Sequence, residues 1–348
     1  MVLAGPAMAE SLRVASWNVG LDRKGPGLLL RDILRDEDPQ IDAIAEIVAQ
    51  VRPDILVLQK VDYDQDLIAL RALRDRIARE GWRLEHLFAR RPNSGLATGL
   101  DMDGDGRFGG ARDAQGFGDF SGQGGMAILS RAPIDAVKAE DFSALLWRDL
   151  PGAIMPVLAG APFPSAEAAA AQRLSNVGHW VVPVILPSGP VYLLTFHATP
   201  PVFDGPEDLN GRRNHDEIRF WQHYLDGRFT PPPKARFVVI GDANLDPEDS
   251  DGRRKAIRGL LDDPRLQDPR PMGPQRAPES ATSGDPRFHT AHWPAPGPAG
   301  LRVSYVMPSV DIAVRDAGVF APPAGTPGAA AAGIASHHNM VWVDIAVD

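Results

Sequence analysis

Leu12-Arg-Val-Ala-Ser-Trp-Asn-Val19 and Asp54-Ile-Leu-Val-Leu-Gln-Lys-Val61 are the segments on which the reading of this 348-residue chain turns. Each is an apolar, β-branched run too short for a typical helix, so each predicts a buried strand. Each also ends in polar residues. The first carries Ser16 and Asn18; the second carries Gln59 and Lys60 and is followed by Asp62 and Asp64. Strands that deliver polar groups at one end place a concave polar site on a rigid scaffold.

The same pattern recurs outward along the chain. Strands are predicted at Met126–Ser130, His179–Leu186, Val191–Ala198, Arg236–Gly241, Arg302–Pro308 and Met340–Val347. Pro187-Ser-Gly-Pro190 joins two of them as a hairpin. His197 closes one strand, Asp242 and Asn244 close another, and His337 and His338 precede the last. Ile41–Val51 and Leu67–Ile77 show helical apolar spacing, and Arg212–Tyr224 shows it less clearly. Segments 95–125, 269–300 and 322–333 are rich in Gly and Pro and read as rim loops. None splits the chain, so residues 11–348 are expected to form one α+β domain.

Composition narrows the function. With 34 Gly and 33 Pro the chain is loop-rich, and with no Cys it has no disulfide framework, thiolate metal site or cysteine nucleophile. Lys and Arg number 36 against 45 Asp and Glu, a net charge of −9. That balance, with no basic run, makes nucleic acid a poor partner. No apolar stretch is long enough to span a bilayer. Residues 1–10, ending in Ala7-Met8-Ala9, look like the cleavage end of a secretory signal. The expectation is a periplasmic or secreted protein; a tail on a cytoplasmic protein is the alternative. No nucleophile elbow, Walker A loop, dinucleotide fingerprint or His-Glu-x-x-His motif occurs.

Seven segments in order resemble the endonuclease/exonuclease/phosphatase superfamily of DNase I-like phosphoesterases. They are Leu12–Asn18, Pro53–Gln59, Gly125–Arg131 with Pro133-Ile134, Thr195–His197, Gly241–Asn244, Arg302–Ser309, and His338 before Val341–Asp344. His197–Asp208, Asn210–Glu217, Gly116–Gly118 and Gly122–Gly125 are similar to a bacterial subgroup with long insertions. The resemblance implies a four-layer α/β/β/α sandwich of two packed mixed sheets with the site at one rim. It also implies hydrolysis of a phosphate mono- or diester by activated water, with a divalent metal such as Mg²⁺ or Mn²⁺.

Residue by residue, Asn18, His197, Asp242, Asn244 and His338 match the implied catalytic set. Three implied carboxylates are replaced: the strand-two Glu by Lys60, the acid supporting the final imidazole by Ser304, and the acid before that imidazole by His337. Replacing a carboxylate by an ammonium removes a hard oxygen ligand and adds a charge of the metal's own sign. Three readings follow. The metal moves to Asp62 and Asp64, which would face one side of an extended strand. Lys60 replaces the metal, with His337 or His338 moving the proton. Or the protein is a degenerate member that binds a phosphorylated or other anionic ligand without turnover. The first two make it an altered phosphoesterase for a small phosphorylated substrate, expected to be a monomer.

Two further patterns carry expectations. Asp101, Asp103 and Asp105, with Gly106, start a calcium-loop pattern, although its twelfth position is Arg112 and Asp113 follows. They are expected to bind a structural Ca²⁺. The mixed charges of Arg212–Glu217 predict a capped, solvated helix start, with Asp204 and Asp208 in structural roles near the site. His289 and His292 read as a surface pair.

Overall fold

The computed structural model describes residues 11–275 and 282–347; the signal-like segment lies outside them. The core is two mixed sheets. The six-stranded sheet runs β14-β15-β1-β2-β4-β3, formed by β1 (Ser11–Leu21), β2 (Ile55–Val61), β3 (His86–Phe88), β4 (Gly125–Ser130), β14 (Val314–Phe320) and β15 (Met340–Ala346). The five-stranded sheet runs β13-β10-β9-β8-β5, formed by β5 (Glu140–Asp141), β8 (His179–Leu186), β9 (Gly189–His197), β10 (Phe237–Asp242) and β13 (Ser304–Pro308). Short ribbons β6 (Val157–Leu158) with β7 (Ala161–Pro162), and β11 (Ala291–Trp293) with β12 (Ala299–Leu301), sit outside the sheets.

Strand parity sorts the apolar residues into layers. Val14, Ile55, Val57, Ile128 and Val343 of one sheet meet Val182, Leu193, Val238, Ile240 and Val306 of the other in a shared core. The opposite parity, Ala15, Trp17, Leu56 and Leu58, packs under helices α1 (Leu28–Arg35), α2 (Pro39–Val51), α3 (Ile68–Arg79) and α7 (Ala329–Ala335). Leu194, Phe196, Phe237 and Val239 pack under α5 (Leu209–Leu225) and α6 (Lys255–Leu261). The short α4 (Ala166–Ala171) lies in the connection before β8. The result is the four-layer α/β/β/α sandwich that the resemblance implied.

Local chemistry explains the boundaries. Asp38 accepts N–H bonds from Gln40 and Ile41, and Pro39 opens α2 at the position where a missing N–H costs nothing. The eight expected strands all form, most with ends shifted by one or two residues. Segment 322–333 is not wholly a loop, because its alanine run begins α7, which packs on α2. β14, with Arg315, Asp316 and Gly318 at an edge, carries too weak an apolar signal to be read as a strand.

Candidate active site

The site is what the inward strand parity becomes where the apolar core ends. Along β1 the inward series Val14, Ser16 reaches Asn18; along β9, Leu193 and Thr195 lead to His197; along β10, Val238 and Ile240 lead to Asp242. β1 and β2 run parallel, as do β9 and β10, so these strands end at a common edge. Within the five-stranded sheet Asp242 lies directly between His197 and Ser304. From the other sheet, the Asn18 amide donates to Asp242 Oδ2 at 2.8 Å, which bridges the sandwich.

Asp242 is fully buried and well held. Besides Asn18, the backbone N–H of Asn244 donates to its Oδ1 at 2.9 Å, a turn made possible by the left-handed φ of 49° at Asn244. The Asn244 side chain ties back to the Ala198 carbonyl at 2.8 Å. Two imidazoles face the carboxylate: His338 Nδ1 stands 3.6 Å and His197 Nε2 3.9 Å from Asp242 Oδ2. Both separations exceed a hydrogen bond. Burial pushes His197 down to about 4, against the opposing pull of Asp242. Burial likewise lowers His338, so both rings are neutral near pH 7. His338 rests edge-on against Trp293 of the β11–β12 ribbon, with ring centroids 5.2 Å apart. His337 is exposed, and its carbonyl accepts the His292 N–H at 2.9 Å.

Lys60 breaks the parity of β2. Its φ is 61°, and the register of β2 against β4 slips between Gln59 and Val61, so the side chain leaves the alternating pattern. Its ammonium lies 3.3 Å from Asp22 Oδ2. Its positive charge lies close enough to help lower both imidazoles, behind the larger effect of burial.

This donor set does not fit the metal that the fold implies. Mg²⁺ or Mn²⁺ requires several hard oxygen ligands. The positions that would supply them hold Asn18, whose amide is turned to Asp242, the Lys60 ammonium, and the exposed His337. At the alternative position, the oxygens of Asp62 and Asp64 each already accept a backbone hydrogen bond. Asp62 accepts the N–H groups of Arg23 and Gly124, each at 2.9 Å. Asp64 accepts those of Ile68 and Ala69 and caps α3. β2 ends at Val61, before either residue, so strand alternation does not set how they face. Desolvation raises Asp62 to about 6, which its two N–H bonds only partly offset.

Among the described residues, the group of three whose ligand atoms all lie within 4.8 Å of one another is Asp101, Asp103 and Asp105. The expected cluster is therefore present. Arg112 instead binds the Phe203 carbonyl, and both oxygens of buried Asp113 are taken by the N–H groups of Met102 and Gly110.

Helix α5 corrects a second expectation. Arg213, Asn214, Asp216 and Glu217 are buried, not solvated. The Arg213 guanidinium donates to the carbonyls of Leu174, Gln115, Arg173 and Ser175. Asn214 donates to the carbonyls of Thr199 and Ala243, each at 2.7 Å, and so grips the chain just past His197 and between Asp242 and Asn244. Glu217, raised to about 7 by burial, accepts the N–H groups of Asn176 and Thr199. Asp204 caps this helix through the N–H groups of Asn210 and Gly211, and Asp208 pairs with Arg253. Sequence reading passed over Asn214, Trp293 and Asp22. For Asn214 a signal existed, because a polar string among helical apolar residues can also mean a helix buried on both sides.

Comparison with known proteins agrees with this architecture. No curated protein matches the chain significantly. Among solved structures, an endonuclease/exonuclease/phosphatase from Beutenbergia cavernae superposes with a TM-score of 0.57 at 18% identity, covering 97% of this chain and 72% of that one. A family protein from Leptotrichia buccalis gives 0.53 at 14% identity, covering 96% and 99%. One from Bacteroides vulgatus gives 0.51 at 11% identity, covering 97% and 100%. These likenesses speak to the fold. The model of the endonuclease/exonuclease/phosphatase family matches residues 15–336, nearly the whole of the sandwich and its rim, and the chain belongs to that family.

Proposed function

We propose that this chain is a phosphoesterase of altered design, acting on a small phosphate mono- or diester without the family's metal. Members of the family are in general phosphoester hydrolases that use a divalent ion. Here Lys60 takes up the negative charge of the phosphoryl group, a role an ammonium fills as a point charge. The observation that carries the reading is Asp242, held by Asn18 and Asn244 and faced by two imidazoles at 3.6 and 3.9 Å. In this scheme water attacks phosphorus, its proton passes to Asp242, and the bond to the leaving oxygen breaks. That oxygen takes a proton from His338, which the bound phosphate has raised enough to be charged.

A second reading, binding without turnover, is favoured by a different observation. His197 Nδ1, His338 Nδ1 and Ser304 Oγ are buried without a hydrogen-bond partner, so no side chain fixes either imidazole in a catalytic orientation.

A phosphatase and phosphodiesterase panel run with EDTA, and with Mg²⁺, Mn²⁺ or Ca²⁺, separates the readings. EDTA-insensitive turnover that disappears in Asp242→Ala is the expected result. Turnover that survives unchanged in that variant removes Asp242 from the mechanism. Strict metal dependence removes Lys60 from its role, and silence across the panel with retained ligand binding selects the second reading. A periplasmic or secreted location, a monomeric state and Ca²⁺ at Asp101, Asp103 and Asp105 belong to the same proposal. Calcium calorimetry, with heat lost in Asp103→Ala, checks the last.

A further inference from the structure

The charge reversal at residue 60 is compensated by a neighbour. Asp22 follows β1 directly, and Leu21 pairs with Val61 in the parallel β1–β2 ladder, so Asp22 and Lys60 emerge together at the rim. Their charged atoms are 3.3 Å apart, and their side chains are 29% and 41% exposed. A Cβ on Gly124, at φ 58°, would lie 3.5 Å from Lys60 Cδ and 3.6 Å from Asp22 Cβ, so one backbone segment borders both. Where both imidazoles are neutral, Lys60 is the single cation of the group, set against Asp22 and Asp242. A half-exposed ion pair is worth only about 0–1 kcal/mol, and an incoming anion can displace it.

Resting on the assignment of phosphate charge to Lys60, we propose that Asp22 is an electrostatic brake on the site: it competes with the phosphate for the Lys60 ammonium and repels the bound anion in proportion to its charge. The brake lowers affinity for doubly charged phosphates more than for singly charged ones, which keeps free phosphate and released product from occupying the rim. The competition is Coulombic, so its size falls with salt.

The test is calorimetric titration of the full chain in EDTA at about pH 8.5. One ligand is benzylphosphonate, a non-hydrolysable dianion at that pH; the other is its methyl ester, a monoanion. Asp22→Asn is nearly isosteric and is expected to tighten the dianion about tenfold and the monoanion about threefold, with both gains shrinking at high salt. Lys60→Gln in the Asp22→Asn background is expected to weaken both ligands at least tenfold. If Asp22→Asn changes neither affinity while Lys60→Gln weakens both, the brake is refuted and the Lys60 assignment stands. An equal gain for the two ligands refutes the charge-proportional repulsion. If Lys60→Gln has no effect, or neither ligand binds any variant, the underlying phosphate assignment fails with it.

Discussion

Two buried polar regions lie on either side of β9 and β10, and they differ in how their charged and titratable groups are held. On the α5 side, Arg213 spends its guanidinium on four carbonyls, and Asp216 accepts from both Trp147 Nε1 and the Ile154 N–H. On the rim side, His197 Nδ1, His338 Nδ1 and Ser304 Oγ have no partner. Buried polar groups left unsatisfied cost stability. The first region is scaffold: Asn214 Oδ1 and Trp221 Nε1 on α5 also lack a partner, but its buried charged groups are held by hydrogen bonds. The second is a place where a ligand can complete what the protein leaves open.

The contrast can be broken at several points. The largest effect is expected at Arg213. Truncation to Ala removes four hydrogen bonds to carbonyls and leaves Glu217 without its nearby cation, at a cost of about 3–5 kcal/mol in urea unfolding. A loss below about 1 kcal/mol would mean that the α5 network is not what holds the scaffold.

His197 gives a smaller, pH-dependent effect. Its folded value of about 4 lies below the ordinary 6.5, so the stability from keeping it neutral is fully present above about pH 6.5. It is lost as pH falls toward about 4, by up to about 1.4 kcal/mol per pH unit. His197→Gln should flatten the decline in melting temperature between about pH 7 and pH 5. Parallel declines in the two proteins would show that burial does not hold this ring neutral.

The smallest effect belongs to Ser304. Its hydroxyl has no partner to lose, so Ser304→Ala should change stability by less than about 0.5 kcal/mol, or raise it slightly. A clear destabilisation in chemical unfolding would mean that the hydroxyl is satisfied after all, and that the rim is better finished than the contrast requires.

What the sequence disclosed follows from periodicity. Strands such as β8 and β10 are apolar on both faces, and Asn18, His197 and Asp242 follow their inward parity, so their convergence was legible. The hydrogen bonding of Asp62 and Asp64 was not legible, because alternation governs facing only within a strand and β2 ends at Val61. The burial of Arg213, Asn214 and Glu217 was hidden because their partners are carbonyls and N–H groups from distant segments, and backbone groups leave no trace in a side-chain pattern. Asp22 was hidden for a related reason, since its meaning comes from a neighbour 38 positions away in sequence.

The pairing of β1 with β15, Ser11 opposite Ala346 and Ser16 opposite Val341, sets a timetable for the protein's birth. During synthesis β1 leaves the ribosome before every other described strand, and β15, one of its two flanking neighbours, leaves after all of them. The five-stranded sheet can assemble from β5, β8, β9, β10 and β13 while β1 still waits with an open edge. Because His338 lies just before β15, the chemical centre is completed only when that last strand docks. A nascent or stalled chain therefore carries most of the fold and none of the finished site, and its exposed β1 edge is where a chaperone would have most to protect.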